Sequence, residues 1–306
     1  VLLRPDEGPD RLDVSPADAL ELGRGELLRV ADHPTLGAAQ RQIELATALA
    51  TKPKLLLLDE LMAGLTFVEI DLMLDLLRTI NQEMGITMIN TSISPIFAEV
   101  HDFSCAICDW ANRIVAQIDG VPSHTASVME AAKAISREFG DDIHQGDVFV
   151  LNDPYLGGTH LPDITIMKPV FYEGQLQFIA INRAHHGDVG GIEPGSYAPS
   201  ARELFHEGIR IPPLRIYRDE RPIMDVVNMI RINTRMPDAL WVDMKAQVAS
   251  CRVAEKRIRE LLAKYGVEKT RATIEDIHGY AERRMRNEIR KLKDGVYEGE
   301  TFLDSD

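Results

Sequence analysis

Two glycine-containing loops near the middle of the chain carry the residues best suited to chemistry. The first loop, residues 152–163, places His160 three residues before Asp163. The second loop, residues 184–191, groups three further imidazole and carboxylate side chains, which are His185, His186 and Asp188. Two imidazoles and one carboxylate that leave coordination positions open suit Mn²⁺, Fe²⁺ or Zn²⁺ held for catalysis. The alternative is that these residues form turns and caps, as Asp, Asn, Gly and His often do.

The elements around these loops are predicted to be strands. Segments 147–151, 164–171 and 176–181 have strand-like patterns and are separated by glycine-rich turns. Each loop follows a predicted strand, so a common sheet could bring the two loops together. A further imidazole, His124, precedes a helix that is predicted to open with a capping box at Ser127.

The other elements complete a mixed α/β pattern whose C-terminal part is mainly helical. They are a helix at 69–84 that Gly85 should end, a hairpin of 103–108 with 114–117, helices at 244–265 and 274–292, and a strand at 295–303.

Cys105 and Cys108 form a Cys-x-x-Cys pair, a spacing that can bind zinc or exchange thiols. Residues three apart on a strand point to opposite faces, so packing is the expected role of these cysteines.

Composition excludes several classes of function. The 306 residues are 45% hydrophobic and 27% charged, which is enough for a large core and allows two domains. A formal charge of -14, with no Lys/Arg-rich tract, argues against nucleic-acid binding. No apolar stretch approaches the roughly 20 residues that span a bilayer, and no signal peptide is evident. Three cysteines make no disulfide framework, so we expect a cytoplasmic protein without membrane or nucleic-acid partners.

The N-terminal part resembles the ATP-binding subunits of branched-chain amino-acid ABC transporters, over about residues 36–85. The likeness includes an apolar strand at 55–58 followed by Asp59 and Glu60. In that family the aspartate associates with Mg²⁺ and the glutamate orients the attacking water. No G-x-x-x-x-G-K-[ST] loop occurs to hold phosphates. We therefore interpret residues 1–65 as an incomplete α/β nucleotide-binding fragment.

The remainder, from about residue 86 to 306, resembles the hydantoinase B/oxoprolinase family. Its motifs occur in the family's order: Asp-Phe-Ser-Cys-Ala-Ile at 102–107, Gly-Asp-Val-Phe-Val-Leu-Asn-Asp-Pro-Tyr at 146–155, Gly-Gly-Thr-His-Leu-Pro-Asp-Ile at 157–164, Ala-His-His-Gly-Asp-Val-Gly-Gly at 184–191, Pro-Gly-Ser at 194–196 and Glu-Gly-Ile-Arg-Ile-Pro-Pro at 207–213. The resemblance implies an α+β domain over residues 66–306, truncated at its C-terminus.

The resemblance also implies a site and a reaction. Carboxylase members of the family hold a metal with a His-x-x-Asp pair and a later histidine, positions that fall on His160, Asp163 and His185. The candidates for supporting the metal or transferring protons are His124, His186 and Asp188. A partner A-type subunit would use ATP to activate a cyclic amide, and the metal bound here (Mn, Zn or Fe) would assist ring opening. ATP itself is expected in the partner and not in this chain.

Two other interpretations remain open. Ketone carboxylation, as in acetone and acetophenone carboxylases, shares the metal motif and differs in its partners. A non-catalytic interpretation is that the chain is a chimeric or truncated fragment, because both resemblances are incomplete.

Overall fold

The computed structural model describes residues 2–3, 27–30, 55–58, 67–117 and 120–302. Three short N-terminal strands, β1 (Leu2–Leu3), β2 (Leu27–Val30) and β3 (Leu55–Leu58), form a sheet with the order β1-β3-β2. The β2 and β3 strands are parallel, and β1 pairs with β3 in the antiparallel sense. The apolar strand predicted at 55–58 is therefore present. Of the residues that carried the ABC-transporter resemblance, 36–54 and 59–66, including Asp59 and Glu60, lie outside the described residues, whereas residues 67–85 are described and helical.

The main body is a seven-stranded antiparallel sheet with helices on both faces. Its strands are β4 (Phe103–Asp109), β5 (Ile114–Gln117), β6 (Val148–Leu151), β7 (Asp163–Tyr172), β8 (Gln175–His185), β9 (Leu214–Arg218) and β10 (Arg221–Pro222). Their spatial order is β10-β9-β6-β7-β8-β4-β5. The helices are α1 (Phe67–Thr91), α2 (Pro122–Phe139), α3 (Met224–Arg231), α4 (Pro237–Tyr265) and α5 (Val267–Ile289). The predicted mixed α/β class is confirmed.

Hydrophobic residues form one core on each face of this sheet. The larger core lies between the sheet and helices α1, α4 and α5, and the smaller core lies under α2. Cys105 belongs to the larger core and Cys108 to the smaller one. Burial raises the pKa of each of these two thiols to about 12. The two cysteines therefore face opposite sides of the sheet, as predicted, and neither is available as a thiolate at neutral pH.

The central hairpin of β7 and β8 determines where the loop residues meet. Both strands are buried on both faces over most of their length, so the polar side chains within them, such as Lys168 and Arg183, need buried partners. They are joined by the two-residue turn Glu173-Gly174, in which both residues have positive φ, as a type I′ hairpin turn requires. The resulting register places Asp163, the first residue of β7, opposite His185, the last residue of β8.

Several local predictions are wrong, and packing explains why. Helix α1 continues through Gly85 to Thr91, because Gly85 is buried and Met88 extends the buried stripe on the same face. Helix α2 begins at Pro122 and not at Ser127, because proline is favoured in the first turn and needs no backbone donor there. His124 consequently lies inside this helix and not before it.

The C-terminal prediction also needs correction. Helix α5 is displaced from the predicted 274–292 to Val267–Ile289. Residues 295–302 form no strand and are exposed, since no neighbouring strand in the described part of the chain pairs with them. Across the described ranges, no helix combines the length and apolar character needed to cross a bilayer.

Candidate metal centre

The site is organised around the carboxylate of Asp163. This side chain is 2% exposed and lies at the end of the central hairpin. His185 approaches from the neighbouring strand, and its Nδ1 donates to Asp163 Oδ1 at 3.1 Å. His160 approaches from the preceding loop, and its Nδ1 lies 2.8 Å from Asp163 Oδ2. One potential ligand atom from each of the three residues lies within 4.8 Å of the other two.

A third imidazole reaches the same carboxylate from helix α2. His124 is buried, and its Nε2 donates to Asp163 Oδ2 at 3.0 Å. The Thr159 hydroxyl also donates to Asp163 Oδ2. Burial alone would raise the pKa of Asp163. Hydrogen bonds from His124, His160 and His185 outweigh burial and hold this pKa far below its usual range. The hydrogen bond to Asp163 in turn raises the pKa of His160.

Asp102 lies beside this cluster and was missed as a site residue. Its Oδ2 is 4.0 Å from His185 Nδ1, and its side chain is 31% exposed. Its negative charge contributes to the raised pKa of His160. The backbone N–H of His185 donates to the Asp102 carbonyl at 3.0 Å, where β4 begins to pair with β8. Asp102 is the first residue of the Asp-Phe-Ser-Cys-Ala-Ile motif, and this position is the sequence signal that could have identified it. That motif had been used only as support for the family resemblance.

His186 points away from its neighbour His185, towards helix α4. Its Nε2 donates to Gln247 Oε1 at 3.0 Å, and its ring meets Phe97 edge-on with centroids 5.1 Å apart. Gln247 is itself fixed by donating to the Ile164 carbonyl at 2.8 Å. Burial lowers the pKa of His186 to about 4, so its ring is neutral at neutral pH. The structure therefore places His186 in the packing between the sheet and α4.

Asp188 organises the glycine-rich loop that follows β8. It accepts hydrogen bonds from the backbone N–H groups of Gly190 at 2.9 Å and Gly195 at 3.2 Å. It also accepts from the backbone N–H of Arg235 at 3.1 Å and from the Arg235 guanidinium at 2.9 Å. Burial opposes ionisation, but these hydrogen bonds lower the pKa of Asp188 to about 2. Asp188 thus holds loop 187–195 against the start of α4.

This arrangement gives a testable effect on stability. Asp188→Asn is expected to lower the free energy of unfolding by about 2 kcal/mol near neutral pH, because a pKa shift of one unit corresponds to about 1.4 kcal/mol. Because the pKa of Asp188 is lower in the folded state, its ionised carboxylate stabilises the fold at pH values above the unfolded-state pKa. This contribution is lost as the pH falls towards the folded-state pKa. Urea unfolding should show a wild-type advantage that is constant from neutral pH to about pH 5 and shrinks as the pH falls from there towards about 2. A difference that does not change with pH would contradict this assignment.

The loop that carries His160 is fixed by the side chains of Asn152 and Asp153. Asn152 is fully buried and donates to the carbonyls of Leu161 at 2.7 Å and Ile209 at 2.9 Å. Asp153 accepts from the backbone N–H of Tyr155 at 3.0 Å and from Arg210 Nε at 2.8 Å. Both residues therefore hold the loop in place.

The donor set suits a divalent metal ion. It offers two imidazole nitrogens and one carboxylate, with a second carboxylate close by and no sulfur, a mixture typical of Zn²⁺, Mn²⁺ or Fe²⁺ sites. Bonds of about 2 Å to one ion place its donors about 3–4 Å apart, so the observed cluster needs only a small contraction. His160 is 47% exposed, which leaves one side of the cluster accessible to solvent and to a small molecule.

Comparisons with known proteins identify the family of this chain. The model of the hydantoinase B/oxoprolinase family matches residues 67–306, so the family region begins before residue 86 and includes α1. Caprolactamase subunit beta of Pseudomonas jessenii is 38% identical over 228 residues, which are 74% of this chain and 39% of that protein. The 5-oxoprolinase of Dictyostelium discoideum is 34% identical over 209 residues, which are 68% of this chain and 16% of that enzyme.

Solved structures give the same assignment. The crystal structure of the ATP-dependent caprolactamase from Pseudomonas jessenii matches with a TM-score of 0.75 and 36% identity, over 78% of this chain and 42% of that one. Acetone carboxylase matches with a TM-score of 0.63 at 22% identity, over 78% of this chain and 31% of that one, which shows a shared fold only. The chain thus spans about two fifths of the caprolactamase chain that it matches. The motifs, the fold and these matches together show that the chain belongs to the hydantoinase B/oxoprolinase family.

Proposed function

We propose that this chain provides the metal-binding, ring-opening part of an ATP-dependent cyclic-amide hydrolase. The observation that carries the proposal is the convergence of His160 and His185 on the buried Asp163. This arrangement occurs in a chain whose relatives include enzymes named for lactam and oxoproline hydrolysis.

The proposed ligands are His160, Asp163 and His185, with Asp102 as a fourth. Asp102 is suited to this role because its partly exposed carboxylate lies at the edge of the cluster, 4.0 Å from His185 Nδ1. A divalent ion held by these residues would supply Lewis acidity and lower the pKa of a bound water. Elemental analysis of the purified protein would show whether the ion is Mn²⁺, Fe²⁺ or Zn²⁺.

The surrounding residues have distinct proposed roles. His124 orients Asp163 by donating to Oδ2, as residues behind metal ligands commonly do. His186 and Asp188 were candidates for proton transfer, and their contacts favour a structural role for both. His186 is neutral and hydrogen-bonded to Gln247, while Asp188 is ion-paired with Arg235. Neither side chain belongs to the cluster of converging ligand atoms.

A partner is part of the proposal. The name of caprolactamase subunit beta implies a second subunit in that enzyme, and the corresponding partner here would be an A-type ATP-binding subunit. An unactivated amide has a high barrier to hydrolysis, so coupling to ATP in the partner is chemically reasonable. The sequence of this chain contains no phosphate-binding loop, and Asp59 and Glu60 are given no catalytic role.

The test is a reconstitution assay. The chain would be co-expressed with an A-type ATP-binding subunit of a relative, and caprolactam, hydantoin and 5-oxoproline would be supplied with ATP. We expect ATP-dependent ring opening of at least one of them, with metal in the purified complex. Carboxylation of acetone with bicarbonate and no ring opening would favour the ketone carboxylase alternative. Neither activity in a folded, metal-loaded complex would favour the interpretation as an inactive fragment.

A further inference from the structure

A buried arginine lies directly beside the candidate metal centre. Arg183, on strand β8, is fully buried. Its Nε donates to Thr165 Oγ1 at 2.8 Å, and its Nη1 donates to the His124 carbonyl at 3.3 Å. Nη1 also donates to Ser127 Oγ, and Nη2 donates to the Gly157 carbonyl. Four hydrogen bonds thus connect one guanidinium to three separate segments, and none of these four acceptors is a carboxylate.

Each segment that Arg183 touches carries a residue of the site. The first turns of helix α2 hold His124. The loop at Gly157 leads to His160 three residues later. Thr165 lies on β7, two residues after Asp163 and on the same face of the strand. Arg183 itself lies two residues before His185 on β8, again on the same face.

A buried charge without a contacting counter-ion is costly unless its surroundings compensate it. The hydrogen bonds from the Arg183 guanidinium to its four acceptors supply part of this compensation. A planar guanidinium can also hold several acceptors in fixed directions, which an ammonium cannot do.

We propose that Arg183 is the positioning residue of the metal centre, fixing His124, the His160 loop and the Asp163–His185 strand pair in one geometry. This inference rests on the proposed metal site. It assigns Arg183 a role in metal affinity beyond ordinary stabilisation of the fold. The residue does not contact substrate or metal in this proposal, because it acts through the segments it holds.

The experiment compares metal affinity in matched variants of the full chain. Lys168 is also fully buried, and it lies on β7 at the opposite face, where it pairs with Glu220 and with Glu255 at 3.2 Å. Lys168→Met therefore removes a buried cation without touching the site. The Zn²⁺ dissociation constant would be measured by competition with a chromophoric chelator for wild type, Arg183→Lys, Arg183→Met and Lys168→Met. The visible spectrum of the Co²⁺-substituted proteins would report ligand geometry.

We expect both Arg183 variants to bind Zn²⁺ about 10- to 100-fold more weakly, the range found for residues that support metal ligands. Their Co²⁺ spectra should also change. The Lys168 variant should keep wild-type affinity and spectrum, even if its melting temperature falls. Should Arg183→Met fail to fold, Ser127→Ala and Thr165→Val each remove one contact and should weaken affinity by a smaller factor. Unchanged affinity in the Arg183 variants would overturn this inference alone. A wild-type protein that binds no metal would overturn the proposed site as well.

Discussion

Replacing Asp163 with asparagine is expected to abolish stoichiometric metal binding. The carboxylate is the only negative charge among the three converging ligand residues, and it accepts hydrogen bonds from His124 and His185 at 3.0 and 3.1 Å. Asparagine keeps the shape but offers a neutral amide oxygen, which is a much weaker ligand. The affinity should fall by more than about 100-fold, since even a residue that only supports a ligand contributes up to that amount. Elemental analysis of the purified variant and a Zn²⁺ titration would measure the loss.

A histidine distant from the cluster provides the control. His144 is 65% exposed and pairs with Asp142 at 3.1 Å on the surface, so His144→Gln should retain the metal content of wild type. Circular dichroism should show that both variants keep the secondary structure. Near-stoichiometric metal in Asp163→Asn would show that other residues hold the ion.

Substituting alanine for Gly157 is expected to destabilise the protein strongly. Gly157 has φ +94°, and a Cβ atom at this position would lie 2.2 Å from the Ala131 backbone nitrogen in helix α2. The left-handed backbone costs a non-glycine residue about 1–2 kcal/mol. Overpacking against a helix backbone adds about 1–3 kcal/mol. Urea unfolding should therefore show a loss of about 3 kcal/mol or more.

Gly174 provides a control that separates the cost of the left-handed backbone from the cost of overpacking. It has φ +76°, but a Cβ atom there would meet no other atom within 4 Å. Gly174→Ala should therefore cost only the backbone part, about 1–2 kcal/mol. Equal losses in the two variants would mean that the contact between the His160 loop and α2 contributes nothing. The Gly157 variant should also bind metal more weakly, because the displaced loop carries His160.

The three converging residues and His124 were named from the sequence, whereas Asp102 was not. His160 and Asp163 are three residues apart, and a hairpin brings His185 to them. Asp102 reaches the cluster only because β4 pairs with β8, with Phe103 opposite Ala184. Pairing between strands so far apart in sequence leaves no local pattern, since it depends on the order of strands in the whole sheet. Asp102, which we propose as a fourth ligand, was therefore absent from the predicted site.

Local rules failed where packing decided the outcome. Gly85 favours a helix end, but burial of Met84 and Met88 on both sides of it keeps α1 helical. His186, beside His185, was a candidate for supporting the metal or transferring protons. Adjacent residues at a strand end point to opposite faces, and this placed His186 against α4 instead. The spacing of hydrophobic residues predicted where most helices and strands lie. Tertiary contacts determined the residues at which these elements begin and end.

The two-residue turn between β7 and β8 also has a consequence for the order in which the site assembles. Hairpins with a short loop form within about 1–10 μs, long before strands distant in sequence find each other. Asp163 and His185 can therefore come opposite one another while the chain is still largely unfolded. Asp102 can join only after the non-local pairing of β4 with β8, a slow kind of step because a large loop must close first. An ion bound before β4 pairs with β8 would thus be held by an incomplete set of ligands. Its release rate should drop sharply at the step that completes the sheet.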